Sequence, residues 1–404
     1  MPTPLDGIRV VDWSILQQGP VASSMLGDLG AEVIKIEQSG VGDPGRGFAN
    51  ILGLPASALG TRNFYFEANN RNKKSLVLDL KKEGAQEIVY RLVEKSDIFV
   101  QNFRQGVAER LGLGYETLSG YNPGLIYGTA SGYGPEGPES GRPSIDPAGL
   151  ARTGMMQVLA PLGMPPQYPP GGLADQMGAV MLAYGVLAAL VARERTGVGQ
   201  RVDASHLASV MWLESMVVHQ YLYTGREAPK WNRQRSGNPM HNSYLCSDGK
   251  WLFLGLLQPD RHWPQFCQAM DFPELEKDGR FDTFESRRDH RDELIAILDD
   301  RFATRTSGEW AAHLGNFRDF IFEVVNSVSD LPTDPQVIAN DYIVEVDHPG
   351  YGPTKMLGVP IKFSRTPGRV GLSPEFGQHT EEVLLDICGF RWEEITEFKD
   401  RGVI

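Results

Sequence analysis

From Gln176 to Val191 the chain carries no charged residue, and apolar side chains fall at every angle of a helical projection rather than along one stripe. A helix of that kind demands burial on all sides, so the rest of the chain must supply elements to surround it. The segment opens on Gly171-Gly-Leu-Ala-Asp175 and runs out through Arg193-Glu-Arg-Thr-Gly197-Val-Gly-Gln200. Asp175 therefore stands at or beside the N-cap, where free backbone N–H groups and the helix dipole favour a negative charge. It reads either as a helix cap or as a nucleophilic or general-base carboxylate, kept ionised by those donors in a partly dry pocket.

A chain of 404 residues exceeds what one core supports, so about two domains are expected. The net charge of −12 excludes a general binder of nucleic acid or acidic membranes, which needs a positive surface, but leaves room for a local basic pocket. Cys246, Cys267 and Cys388 are widely spaced and form neither a disulfide framework nor a CxxC site, which fits a reducing compartment. The start, Met-Pro-Thr-Pro-Leu-Asp-Gly7, lacks signal-peptide character, and the uncharged run is read as too short to span a bilayer. A cytoplasmic protein without a membrane span is expected. The histidines include no HExxH or paired spacing, so no metal is implied.

Strand, helix and strand follow one another at the start: Gly7 to Trp13, Pro20 to Gly30 and Ala31 to Glu37. Ser75 to Leu80 is a further strand, Glu83 to Glu94 a helix, and Asp97 to Val100 and Gly124 to Gly128 two more strands. This alternation describes an α/β domain with a mostly parallel, doubly wound sheet. Ligands in such sheets lie beyond the carboxyl ends of the strands, which directs attention to the loops Ser14 to Pro20 and Gln101 to Gly106. The first of these has one glycine where a dinucleotide fingerprint needs three, and no GxxxxGK[ST] loop or G-x-S-x-G elbow occurs. Gly132-Tyr-Gly-Pro-Glu-Gly-Pro138 reads as an ordered loop, and the proline-rich stretch Pro161 to Gly172 delivers Asp175 as a loop.

Beyond Gln200, a helix is expected over His206 to Tyr223, with a boundary near residues 225–242. A smaller α+β domain follows, with a hairpin strand at Lys250 to Gly255 and helices over His262 to Met270, Arg288 to Ala303 and Ser307 to Leu314. Short strands around Val344 and Val359 to Phe363 and a helix from Thr380 to Ile387 complete the chain. The expected division is residues 1–225, 226–328 and 329–404, the last returning to the first. His206 and His219 read as packed or hydrogen-bonded histidines, and His379 as a cap on the last helix. The stripe Met211, Trp212, Met216, Tyr221 and Tyr223 reads as core, or, where it faces the site, as a pocket for a bulky or aromatic acyl group.

Several ordered motifs together resemble the class III CoA-transferase family, also called the formyl-CoA or carnitine CoA-transferase family. They are Leu5-Asp-Gly-Ile-Arg-Val-Val-Asp12, Gly19-Pro20, Leu29-Gly-Ala-Glu-Val-Ile-Lys-Ile-Glu37, Asn72-Lys-Lys-Ser-Leu-Val-Leu-Asp-Leu80, Asn102-Phe-Arg-Gln-Gly106, Ser131 to Pro138, Arg195-Thr-Gly-Val-Gly-Gln200 and Gly377-Gln-His-Thr380. The resemblance implies a Rossmann-like large domain, a small α+β domain and an interlocked dimer, either a homodimer or a heteromer with a related chain. It makes Asp175 the nucleophile and sets Gln17 beside the thioester and the reacting carboxylates. Arg46, Leu78, Asn102, Phe103 and Arg110 fall where the family contacts coenzyme A. These types suit that ligand: arginine forks grip phosphates, and Leu78 and Phe103 can pack the adenine or the pantetheine arm.

The implied reaction moves CoA from an acyl-CoA to a free carboxylic acid through an aspartyl anhydride and an aspartyl-CoA thioester, with backbone donors stabilising each oxyanion and water excluded. Likeness to the branch that activates benzylsuccinate names succinyl-CoA and benzylsuccinate as the pair. Two features depart from the family: Arg235-Ser-Gly-Asn-Pro239 has one glycine where well-known members carry a shielding run, and Ser144 stands near a position that is basic in some members. Two rival readings exist. An acyl-CoA racemase of the same fold would need a histidine directly before an upstream aspartate, and here Ile145 precedes Asp146. A non-catalytic CoA-binding subunit would have no use for Asp175.

Overall fold

The computed structural model describes residues 2–55 and 63–404. It forms two compact units, one built from residues up to Leu159, Pro166–Ala228 and Asp341–Ile404, the other from Ala160–Pro165 and Pro229–Asn340.

In the first unit, strands β1 (Arg9–Trp13), β2 (Glu32–Glu37), β3 (Lys73–Val77), β4 (Ile98–Gln101), β5 (Ile126–Ser131) and β6 (Arg201–Ser205) form one sheet in the order β3-β2-β1-β4-β5-β6. Every neighbouring pair is parallel. Alternation splits the strands between two cores: Val11, Ile34, Phe99 and Tyr127 pack on one face with the helix Ala85–Glu94 and the C-terminal helix Trp392–Asp400. Val10, Val33, Ile98 and Ile126 pack on the other with α1 (Gln18–Asp28) and the long helix that carries Asp175. Coverage on both faces buries residues of both alternating sets along the strands, as expected of a parallel sheet. Strand order reverses between β1 and β4, which opens a crevice beyond their carboxyl ends.

Next come α2 (Asp146–Thr153) and α3 (Leu173–Thr196), the latter closed by Gly197 in the left-handed region at φ 73°. One side of α3, including Ala179, Leu182 and Val186, packs on the sheet and α1. The opposite side is open in the single chain, with Tyr184 67% and Val191 54% exposed, so burial on every side is not achieved within one copy. At 24 residues the helix is also long and apolar enough to cross a membrane by length and composition. The expectation that it is too short is thus corrected, and packing on the sheet accounts for the buried side of the apolar run. The expected single helix over His206 to Tyr223 breaks at Glu214 into α4 (His206–Leu213) and α5 (Ser215–Thr224).

Near the C-terminus, Ile343–His348 pairs antiparallel with Gly352–Leu357, and Val359 to Phe363 forms no strand; Pro360 in that stretch has no N–H to offer a ladder. Thr380–Glu382 is one helical turn that passes into a π turn at Val383–Ile387. His379 does not cap it through its side chain. Instead its Nδ1 accepts the Ser75 N–H at 3.2 Å, its own N–H reaches the Ser75 carbonyl at 3.0 Å, and Thr380 Oγ1 accepts the Val77 N–H at 3.1 Å. The outer edge of β3 is therefore closed by this segment, which removes an exposed ladder.

The second unit holds strands β7 (His241–Leu245), β8 (Trp251–Gly255) and β9 (Phe322–Val324), antiparallel in the order β9-β8-β7. The helices Pro259–Ala269, Arg291–Phe302 and Ser307–Leu314 contribute Trp263, Phe266, Phe302 and Trp310 to its core. The three cysteines of the chain are all buried and free.

Candidate active site

Asp175 is set by a glycine turn. Gly172, at φ 82°, is the N-cap of α3, and a Cβ there would lie 2.5 Å from Gln17 Nε2. Only glycine accepts both the left-handed backbone and that approach. Gln17 Nε2 in turn donates to the Gly171 carbonyl at 3.0 Å, so the loop after β1 and the loop before α3 are joined. Asp175 lies inside the first turn and caps nothing. The helix-end donors belong to another carboxylate: Asp146 Oδ1 accepts the N–H groups of Ala174 at 2.5 Å and Asp175 at 3.0 Å. The Gln176 N–H goes to the Gly172 carbonyl at 2.8 Å. Burial raises the Asp146 pKa above its ordinary 3.8, and the Asp175 charge adds to the rise, while the two N–H bonds oppose it.

The side chain of Asp175 has one hydrogen-bond partner among the described residues, His206, whose Nε2 stands 2.9 Å from Oδ1. His206 follows the last residue of β6 and opens α4, which Ser205 caps by accepting the Ala208 N–H at 3.1 Å. Its Nδ1 lies 3.4 Å from Ser144 Oγ. Gly149 of α2 lets the imidazole in, since a Cβ there would fall 2.7 Å from His206 Cβ. The ring is 6% exposed.

Buried charges fix the loop that carries Gln17. Lys35, fully buried, donates to the Ser14 carbonyl at 2.8 Å and pairs with Asp43 at 2.8 Å. Asp43 Oδ1 accepts the Leu16 N–H at 3.2 Å, which holds Leu16 at φ 67°, a conformation uncommon for a leucine. Asp12 bonds Ser14, Ser23 and Lys73. Burial pushes the Asp12 carboxyl up, but Lys73 and Lys35 overcome it and hold it at about 2. Asn102, beyond β4, clasps Ile15 with both ends of its amide, at 2.9 and 2.7 Å.

These loops line a cavity of about 510 Å³ beyond the carboxyl ends of β1, β4, β5 and β6. Gln17, Asn102, Phe103 and Asp175 all face it, and Phe103 rests on Trp13 with ring centroids 4.2 Å apart. The other three CoA candidates do not line it. Arg46 grips Glu37 with a two-pronged pair at 2.7 and 2.8 Å and lies 3.6 Å over the Phe66 ring. Leu78 is 1% exposed in the core, and Arg110 is an exposed residue ending the short helix Val107–Arg110. Arg104, Arg142 and Arg201 supply the cavity's cations, and Arg104 forms no ion pair among the described residues.

Two polar groups beside the cavity are buried and unpaired. The Gln18 amide nitrogen and the Thr129 hydroxyl are buried without a hydrogen-bond partner among the described residues, and both residues line the space. Burial, reinforced by Asp175, Asp43 and Asp146, raises the Tyr65 phenol, which keeps it a donor there. A carboxylate, an imidazole and a phenol donor around one cavity suit acyl transfer. Sequence reasoning missed Asp146 and His206 as parts of this site. The signal for His206 was its place directly after the strand Arg201–Ser205, at the carboxyl edge of the sheet.

The profile of CoA-transferase family III matches residues 5–380. The (R)-2-hydroxy-4-methylpentanoate CoA-transferase of Clostridioides difficile is 33% identical over 99% of this chain and 99% of its own. The succinyl-CoA:glutarate CoA-transferase of Mus musculus is 32% identical over 99% of this chain and 90% of its own. Among solved structures, a CAIB/BAIF family protein from Brucella suis superposes with a TM-score of 0.84 at 28% identity, over 96% of this chain and all of the other. The chain belongs to CoA-transferase family III, and it is a CoA-transferase.

Proposed function

We propose that Asp175 is the nucleophile that moves CoA from an acyl-CoA donor, succinyl-CoA in the first instance, to a free carboxylic acid. The observation that carries this reading is the Asp175 carboxylate at the wall of the cavity, relieved of capping duty by Asp146. An Asp175 oxygen attacks the thioester carbonyl; the C–S bond breaks, and an aspartyl–acyl anhydride and CoA thiolate result. The thiolate adds to the aspartyl carbonyl and expels the donor acid, leaving an aspartyl-CoA thioester. The acceptor carboxylate then runs the two steps in reverse. Splitting the exchange in this way is covalent catalysis.

The lining supports an acceptor with a second polar group, a hydroxy acid or dicarboxylate, for which Tyr65 is an available donor. Benzylsuccinate meets that description as a dicarboxylate. The stripe Met211 to Tyr223 lends it no support, because those residues lie outside the cavity lining. Arg104 and the loop Asn102 to Gln105 suit the phosphates and pantetheine of CoA. The racemase rival meets a geometric objection: an imidazole is present, but His206 bonds Asp175 itself, so the pair does not stand on opposite faces of a substrate carbon.

The test is mass spectrometry of protein incubated with succinyl-CoA and quenched with hydroxylamine or borohydride. Label on the Asp175 peptide is expected, with no transfer activity in Asp175→Asn and no deuterium wash-in at the α-carbon of a 2-methylacyl-CoA. Full transfer by Asp175→Asn would sink the proposal. We also propose that the open side of α3, with the exposed Trp212, Met216 and Tyr223 of α4 and α5, is covered by a second copy.

A further inference from the structure

We infer that His206 is the oxyanion donor of the aspartyl half-reaction, an inference that rests on Asp175 being the nucleophile. Its Nε2–H holds Oδ1 while Oδ2 attacks, and it stabilises the charge that develops on Oδ1 when CoA thiolate adds to Asp175 Cγ.

Three backbone donors of the first helical turn, and one amide hydrogen of Gln17, are engaged elsewhere. Asp146 takes the N–H groups of Ala174 and Asp175, the Gly172 carbonyl takes that of Gln176, and the Gln17 amide is given to the Gly171 carbonyl. Among the described residues, one donor reaches the Asp175 carboxylate, and it is His206 Nε2 at 2.9 Å. That distance lies within the range an oxyanion donor needs. The geometry also assigns the two carboxylate oxygens different tasks. Oδ1 is tethered, so Oδ2 is the oxygen free to attack the thioester carbonyl. In the anhydride, Oδ2 becomes the bridging oxygen and Oδ1 the aspartyl carbonyl oxygen, still facing Nε2.

When the thiolate adds, a C–S bond forms at Cγ and the carbonyl electron pair moves onto Oδ1, toward the donor. Collapse restores the C=O bond, breaks the Cγ–Oδ2 bond and releases the donor acid with that oxygen in its new carboxylate; Oδ1 stays on the aspartyl group. No proton is transferred in either step, so the imidazole serves as a fixed donor and not as an acid or base. Neutral with its proton on Nε2, or doubly protonated, it donates to Oδ1 in both states. The ring is pre-set: Ser144 Oγ faces Nδ1, Gly149 leaves it room, and the Ser205 cap fixes the start of α4.

The experiment compares His206→Gln, whose amide nitrogen reaches the place of Nε2, with His206→Asn, whose amide reaches only that of Nδ1. Both are polar and smaller than histidine, and melting temperatures check that both fold. With succinyl-CoA and a saturating acceptor, His206→Asn is expected to lower kcat about 100-fold, the scale of one lost oxyanion donor, with KM unchanged within about two-fold. His206→Gln is expected to recover to within about ten-fold of the unaltered protein. An Asn variant as fast as the unaltered protein, or a Gln variant no faster than Asn, overturns the inference. Label on the Asp175 peptide of the unaltered protein is read in parallel; its absence would overturn the nucleophile assignment instead, so the two failures are separable.

Discussion

Asp175 keeps a nearly unpartnered carboxylate because Asp146 takes the helix-end donors. Two aspartates stand at one helix end, and the one from α2 takes the backbone donors, while the one on α3 keeps a carboxylate with a single partner. Replacing Asp146 with alanine leaves two N–H groups unpaired, one of them fully buried on Ala174. Such a change is expected to cost about 1–3 kcal/mol, seen as a lower denaturation midpoint, and to slow transfer by letting the Asp175 loop shift. An Asp146→Ala protein as stable as the parent would contradict the capping role. The position of Asp175 at the mouth of the helix was legible in the sequence, where the local pattern favoured a cap and only the family-like motifs pointed to a nucleophile. Its neighbours were not legible. His206 arrives from the end of a strand 31 residues later, and adjacency of that kind depends on strand order, which periodicity does not encode. Arg46 and Leu78 illustrate the converse: their types suit CoA, but one is committed to Glu37 and the other to the core.

Elements were read better than their partners. The inner strands of the large sheet announce themselves by apolar residues on both faces, polar Arg201–Ser205 at the edge does not, and Ser307–Leu314 falls where its pattern sets it. The stretch Val359 to Phe363 has strand-like composition, yet Pro360 and the competing hairpin leave it irregular. In α3 the apolar pattern overstates what one chain can bury. Tyr184→Glu on its open side is expected to shift the protein toward monomer in light scattering while leaving the fold's circular dichroism unchanged; an unaltered mass would exclude that side as the contact. His379 shows how a cap reading and an edge reading diverge. Burial pushes its imidazole below the ordinary 6.5, with Glu382 opposing and Lys74 adding to the shift. The unfolded chain therefore takes up a proton below pH 6.5 that the folded one resists, so this contribution to stability is full above about pH 6.5 and falls as pH drops beneath it. Melting temperature should decline more steeply from about pH 7 to about pH 5 in the parent than in His379→Leu; parallel curves would refute the assignment.

Across the whole molecule, the chain leaves the first unit after Ala228 and re-enters it at Asp341. A return of the last segment to the large domain was expected, but the task of that segment lay in contacts no local pattern carries. That task has a cost in time. Ser75 and the imidazole that covers its N–H are 304 positions apart, and a ribosome adding about 5–20 residues per second needs roughly 15–60 s to bridge them. Throughout that interval every nascent copy presents the bare edge of β3, and a second nascent chain on the same message presents the same edge. Residues made hundreds of positions after the strand are thus the ones that end its exposure to sibling chains.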